Sequence, residues 1–228
     1  VDQIMGDGFD RNLAEEIEET DLQSMASELL SNFNSDRQSR SEWAKSYVKG
    51  LDLLGMKIEE RQQPWAGSSG VFHPILTESI VRFQAQAMGE IFPASGPVRT
   101  KIIGKMSVEK TEQANRVENE MNYLLTEEMT EYRDETEQML FKLPLAGSAF
   151  KKVYYDPIME RPCAMFVPAE DFVVSYGASD LMTCERYTHV MKKSSNDIAK
   201  LMNNGFYRDI DLPDPEPDMS DIQEKYDE

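Results

Sequence analysis

Residues 107–156 read SVEKTEQANRVENEMNYLLTEEMTEYRDETEQMLFKLPLAGSAFKKVYYD, and this stretch decides the fold class. Its first part keeps apolar residues at helical spacing from Val117 to Leu143, which predicts a single long helix over 107–142. From residue 149 the pattern changes to the alternation typical of a β-strand. A helix pattern followed directly by a strand pattern predicts an α+β fold.

The β part is predicted to form a small, mostly antiparallel sheet over 149–192, on which the long helices 71–92 and 107–142 pack. Both helices carry apolar stripes that need a partner surface, and the alternating segments offer one. Five segments are predicted as strands: 98–105, 150–156, 163–168, 172–174 and 184–193. Serine, proline and glycine mark the predicted helix ends at Ser107, Pro144, Gly147, Ser194 and Gly205.

The N-terminal part predicts a helical hairpin. An apolar stripe from Leu22 to Phe33 predicts a first helix, which residues 34–36 (NSD) are expected to break. Ser35 or Ser41 can cap a second helix, which Gly55 follows as a C′ glycine. Together with the pattern downstream, this predicts an N-terminal acidic arm and helical hairpin over 1–56, an α+β domain over 57–207 and an acidic linker over 208–228.

Composition excludes several classes of protein. The net charge is −18, with 42 acidic against 24 basic residues, which argues against autonomous nucleic-acid binding. The acidic charge is still compatible with a channel wall that repels DNA.

There is no signal peptide and no apolar run long enough to cross a bilayer, so no membrane association is expected. Cys163 and Cys184 have neither zinc-site nor disulfide-framework spacing, and we expect buried free thiols.

No motif predicts catalysis, and we expect no catalytic, cofactor-binding or metal-binding residue. Phosphate-binding glycine loops, HExxH, CxxC and GxSxG are all missing from the sequence. His73 precedes a predicted helix, where capping is the simplest role, and His189 lies on a predicted strand as a satisfied histidine. The chain is therefore predicted not to be an enzyme.

Acidic residues are too frequent for any one pair to indicate chemistry. The run Asp209, Asp211, Asp214, Glu216 and Asp218 could offer oxygen ligands to Ca²⁺ or Mg²⁺, but it lacks the glycine and closing glutamate of an EF-hand loop. A solvated linker is the favoured interpretation. The carboxylates of 107–142 are expected to form a solvated face: Glu118, Glu120, Glu127, Glu128, Glu131, Asp134, Glu135 and Glu137.

Three stretches resemble the portal proteins of tailed bacteriophages. The first is 65–98, with FHPILTESIVRFQAQAMGEIFPASGPV at its centre. The second is LPLAGSAFKKV (143–153), in which a helix ends, turns at Gly147 and enters a strand carrying Lys151 and Lys152. The third, FVPAEDFVVSY (166–176) with ERYTHV (185–190), has an acidic pair after a proline followed by two short strands. The resemblance lies in the order and spacing of the three stretches.

The resemblance implies a head-to-tail connector, a homo-oligomeric ring of usually twelve subunits at one capsid vertex. Such a ring conducts double-stranded DNA non-specifically during genome packaging and ejection, and it is a structural protein without catalytic residues. Its partners would be itself, the major capsid protein, the terminase, and tail or adaptor proteins. Its locations would be the virion and, during assembly, the host cytoplasm. The chain would supply much of the wing, so the fold is expected to be portal wing-like, and the chain is interpreted as an excerpt of a longer polypeptide whose stem and clip follow residue 228.

Two alternatives stay open. An adaptor or scaffolding protein of the virion would bind capsid protein without closing a ring. A metal-dependent hydrolase using an acidic cluster would cleave DNA with Mg²⁺, although no basic substrate-binding patch supports it.

Overall fold

The computed structural model of the chain describes residues 13–15, 17–55, 65, 67–68, 73–156 and 159–212. The fold is α+β, as predicted: helices pack with two small antiparallel sheets of two strands each. A 3₁₀ turn occupies Leu13–Glu15. The helices are α1 (Glu19–Ser39), α2 (Ser41–Leu54), α3 (Ile75–Ile91), α4 (Val108–Tyr123), α5 (Glu131–Ala146) and α6 (Ser195–Asn203). The strands are β1 (Phe150–Asp156), β2 (Arg161–Val167), β3 (Phe172–Val174) and β4 (Tyr187–His189).

The prediction of one continuous helix over 107–142 was wrong. After α4 the chain makes a π-helical turn at Leu124–Glu128, and Met129 leaves the helical region before α5 begins. Met129 is buried, so the break places an apolar side chain in the core. Ser107 caps α4 as predicted, because its hydroxyl accepts a hydrogen bond from the Lys110 N–H.

The predicted end of this helical region at Pro144 was also wrong, because Pro144 lies inside the last turn of α5. Gly147 ends the helix, as predicted, in the left-handed region at φ 77°. The indole N–H of Trp43 donates to the Ala146 carbonyl at 2.9 Å. This carbonyl is one of the acceptors that a helix end leaves without an intrahelical partner, so α2 helps to terminate α5.

Residues 34–36 do not break the first helix, contrary to prediction. Asp36 is buried in α1, and its carboxylate binds the Arg186 guanidinium through two hydrogen bonds of 2.7 and 3.0 Å. Its side chain therefore does not compete for its own backbone, which is the usual reason that aspartate interrupts helices. The helix ends instead at Ser39, and a single residue, Arg40, separates it from the start of α2 at Ser41.

The strand predictions were correct at 150–156 and 172–174, correct to within a few residues for β2, and wrong at 98–105. β1 and β2 form the predicted hairpin, in which Phe150 pairs with Val167 and Asp156 with Arg161. The predicted strand at 184–193 shrinks to Tyr187–His189, which pairs with β3. The predicted single sheet is therefore two separate sheets.

The described residues fall into two compact units. One comprises Trp43–Phe172, and the other consists of the described parts of Val1–Glu42 and Val173–Glu228. The domain boundaries predicted from the sequence, and the predicted hairpin of α1 and α2, remain predictions. No helix within the described ranges is long and apolar enough to cross a membrane.

In the Trp43–Phe172 unit, α5 packs against both β2 and α3. The core at the end of α5 is formed by Tyr47, Ala146 and Ala169, with Trp43 and Phe150 packed around them. Ile80 of α3 is only 1% exposed. The packing of α5 on the sheet follows the predicted arrangement. Helix α3 packs mainly against α5 rather than against the sheet.

Candidate interaction site

The loop that joins α3 to α4 is fixed to α4 near its middle. The side chain of Asn122 accepts from the Val98 N–H at 2.9 Å and donates to the Val98 carbonyl at 3.1 Å. Residues 98–107 are called the anchored loop below. These two bonds replace the strand partner that the sequence predicted here, because a side-chain amide offers the same donor and acceptor as a neighbouring strand.

A second pair of contacts fixes Thr100. Its N–H and its hydroxyl both lie 3.0 Å from Oε2 of Glu118, and the hydroxyl is also 3.2 Å from the Ala114 carbonyl. The hydrogen bonds from the backbone and then from the hydroxyl lower the pKa of the Glu118 carboxyl below its ordinary value. Glu118 was expected on the solvated acidic face of the helix, and it is instead a half-buried acceptor that binds the loop.

Gly96 makes the tight approach of this loop possible. Its φ is +96°, and a Cβ at this position would lie 2.6 Å from Oδ1 of Asn122. Any other residue would therefore be strained in its backbone and would also displace the amide that binds Val98.

Beyond these anchors the apolar side chains of the loop and of the first residue of α4 are exposed to solvent. Ile103 of the loop is 91% exposed, and Met106 of the loop and Val108 of α4 are both 77% exposed. Lys101 and Lys105 are exposed beside them. Such a group of apolar side chains, held outward by an ordered base, is typical of a surface that another molecule covers.

A second surface, along α4 itself, is also exposed. Val117, Glu120 and Met121 are exposed and follow the i, i+3, i+4 spacing of one helix face, with Tyr123 and Glu127 at its C-terminal end. These five residues are called the α4 outer face. Val117 and Met121 were predicted to be core, and here they are not. Arg116 lies at the border of the face and is exposed.

Two other carboxylates of the predicted acidic face bind the free edge of β2. Oε1 of Glu131 accepts from the Ala164 N–H at 3.4 Å, and Oε2 of Glu135 accepts from the Phe166 N–H at 2.5 Å. Residues four apart on a helix rise about 6 Å, and residues two apart on a strand rise about 6.6 Å, so the two periods match over this distance. Helix α5 thus satisfies N–H donors of a strand edge that β1 does not reach.

Ion pairing reinforces this contact between α5 and β2. The Arg161 guanidinium lies 2.9 Å from the Glu131 carboxylate. Burial raises the pKa of Glu131, but the hydrogen bond from Arg161, with those from backbone N–H groups, outweighs burial and leaves this pKa below its ordinary value. The remaining carboxylates of the predicted face, at Glu120, Glu127, Glu128, Asp134 and Glu137, are exposed as expected.

The two lysines of the second resemblance stretch differ in environment. Lys151 donates to the Thr136 hydroxyl at 2.6 Å and lies 4.0 Å from the centre of the Tyr132 ring. Burial lowers the pKa of Lys151, and the nearby Glu135 carboxylate opposes this effect. Lys152 is exposed and lies 5.5 Å from the Tyr154 ring. Lys151 is therefore a packing residue.

The structure does not bring the histidines and cysteines into a common site. His73 is exposed, and the residue at the N-cap of α3 is Pro74, without a side-chain cap, so the predicted capping by His73 was wrong. His189 is half-buried on β4. Both cysteines are free, Cys163 buried and Cys184 half-buried, and burial raises the pKa of the Cys163 thiol.

The acidic run considered for a cation falls mostly outside the described residues. Asp209 and Asp211 are described and exposed, whereas Asp214, Glu216 and Asp218 lie outside. Within the described ranges no three histidine, cysteine, aspartate or glutamate side chains are grouped to hold a metal ion.

Comparisons with protein families and with curated protein sequences find no match for this chain. The resemblance to portal proteins therefore depends on the three quoted stretches. In the structure these stretches contain α3, the end of α5 with β1, the end of β2 with β3, and β4.

Proposed function

We propose that this chain is a subunit of a phage portal ring, the head-to-tail connector through which double-stranded DNA is packaged and ejected. The observation that carries the proposal is the order of the three stretches that resemble portal proteins. One of them specifies a helix that ends at a glycine and leads into a lysine-bearing strand. Helix α5, Gly147 and β1 have this arrangement.

The exposed apolar surface supports a protein that works among copies of itself. The tip of the anchored loop and the α4 outer face expose apolar side chains on an otherwise strongly acidic chain. Monomeric proteins rarely expose such groups together, whereas subunit interfaces bury them. The high negative charge suits a conduit that repels DNA electrostatically and so does not retain it.

In this function the chain is structural and hydrolyses nothing. Within the virion it would contact its own copies, the major capsid protein, and tail or adaptor proteins. The terminase, which hydrolyses ATP, would dock during packaging in the host cytoplasm.

Electron micrographs of the purified full-length protein test the proposal. We expect closed rings with a central channel. Particles that bind capsid protein as single copies without ring closure would contradict the proposal in favour of an adaptor. Mg²⁺-dependent cleavage of DNA that is lost on substituting one carboxylate cluster would contradict it in favour of a hydrolase.

A further inference from the structure

We propose that the tip of the anchored loop, residues 101–106, docks on the α4 outer face of a second copy of this chain. This inference rests on the proposed function, because it names a contact through which neighbouring subunits of the ring would join. It also makes a claim of its own, since the contact can be tested whether or not a ring closes.

Charge and apolar character are complementary between the two surfaces. Residues 98–110 carry four basic residues against Glu109, in a chain whose net charge is −18. The α4 outer face presents Glu120 and Glu127 beside exposed Val117 and Met121. A basic and apolar tip therefore meets an acidic and apolar face, which favours association and selects its orientation.

The positions of the two surfaces predict a head-to-tail contact. The tip lies just before the first residue of α4, Val108, and the face is centred near Glu120. Twelve helical residues separate these positions by about 18 Å along the axis. A surface at one end of an element that binds a different surface at the other end joins copies heterologously, and heterologous contacts produce rings when the rotation closes.

The anchors keep the tip available for a neighbour. Val98 and Thr100 are bound to Asn122 and Glu118, while Ile103 and Met106 of the tip remain exposed. The tip is thus held in one place before binding, so less conformational freedom is lost on association than for a disordered segment. The apolar residues of the tip favour a protein surface over DNA, whose phosphates would be met by lysines alone.

Charge reversal tests the contact by sedimentation velocity of the full-length protein at low salt. Lys101→Glu with Lys105→Glu should weaken self-association, and so should Glu120→Lys with Glu127→Lys. The chain that carries all four substitutions should recover self-association, because the charges of the two surfaces are then complementary again. Lys49→Glu with Lys193→Glu is the matched control, because both lysines are exposed and belong to neither surface. High salt should weaken the parent contact, as expected for exposed charges.

An apolar substitution tests the same contact independently. Ile103→Asp should weaken self-association roughly tenfold, as expected for an apolar side chain buried at an interface. Met182→Asp is the control, because Met182 is 89% exposed and lies outside both surfaces. Ile103 is also too exposed for the substitution to unfold the chain, and unchanged circular dichroism would verify this.

A disulfide trap shows which surfaces meet. Lys105→Cys with Glu120→Cys, in a Cys184→Ser background, should give a ladder of dimers, trimers and larger species on mild oxidation. A product that stops at dimers would contradict the head-to-tail geometry.

The outcomes separate this inference from the proposed function. Rings that form normally with the charge-reversed or Ile103→Asp loop would overturn the inference and leave the function standing. A loop-dependent ladder without rings would uphold the inference and overturn the function. If charge reversal at Lys101 and Lys105 reduces DNA binding without changing self-association, the inference would be overturned in favour of a nucleic-acid contact.

Discussion

At the scale of single residues, several side chains that looked solvated are acceptors or donors for backbone groups. Asn122 and Glu118 bind the anchored loop, and Glu131 and Glu135 bind the edge of β2. Sequence periodicity places all four on a helix, but it does not reveal which backbone N–H groups lack a partner. That information depends on where the loop and the strand lie, so these roles could not be predicted.

Asn122→Ala should destabilise the chain by about 1–2 kcal/mol, because the Val98 N–H and carbonyl lose their partners. Asn119→Ala, at an exposed position on the same helix, should have little effect. Urea unfolding measures the free energies. Amide exchange should be faster at Val98 in the Asn122 variant, because the Val98 N–H loses its acceptor. Unchanged exchange at Val98 would contradict the anchoring role of Asn122.

Glu131→Gln should destabilise the chain by about 1–2 kcal/mol at neutral pH, because the neutral amide binds Arg161 less strongly. The folded pKa of Glu131 is lowered, so its contribution is complete above the ordinary value of 4.5 and is lost as the pH falls through the lowered folded pKa. The difference between parent and variant should therefore shrink in acid. Unfolding free energies measured from pH 7 to pH 3 check this, and a constant difference would contradict it.

At the scale of elements, the sequence predicts most helices and strands and misses the partners that decide their ends. The β1–β2 hairpin and α6 follow from local alternation and capping, both of which act within a few residues. The break at Met129 and the continuity of α1 through Asp36 depend on burial and on Arg186, which is 150 residues away in the chain. Segment 98–105 has a strand pattern, but α4 side chains bind its backbone instead.

Ile80→Asp should be strongly destabilising, by about 4 kcal/mol or more, because a buried charge would have no partner. Leu124→Asp should cost roughly 2 kcal/mol, since Leu124 is only half-buried in the π-helical turn. Val81→Asp, at an exposed position next to Ile80, is the control and should stay within about 0.5 kcal/mol of the parent. If Ile80→Asp unfolds like Val81→Asp and the parent, α3 does not pack as described.

At the scale of the whole molecule, the composition predicts an acidic α+β protein without an evident active site, and the three family-like stretches supply the proposed function. The candidate site was only partly predictable. The apolar pattern of 98–105 predicted a strand, whereas the exposure of Ile103 and Met106 depends on the anchors at the base of the loop. Val117 and Met121 of the α4 outer face were predicted to be core, because an apolar stripe does not say whether its partner belongs to the same chain or to another copy.

Native mass spectrometry of the full-length protein at low ionic strength tests most directly whether this chain is a ring subunit. We predict one dominant closed assembly whose mass is an integer multiple of the subunit mass, usually twelvefold for the family that the chain resembles. Charge reversal at Lys101 and Lys105 should break this assembly into smaller species. A protein that remains monomeric at every concentration would contradict the account.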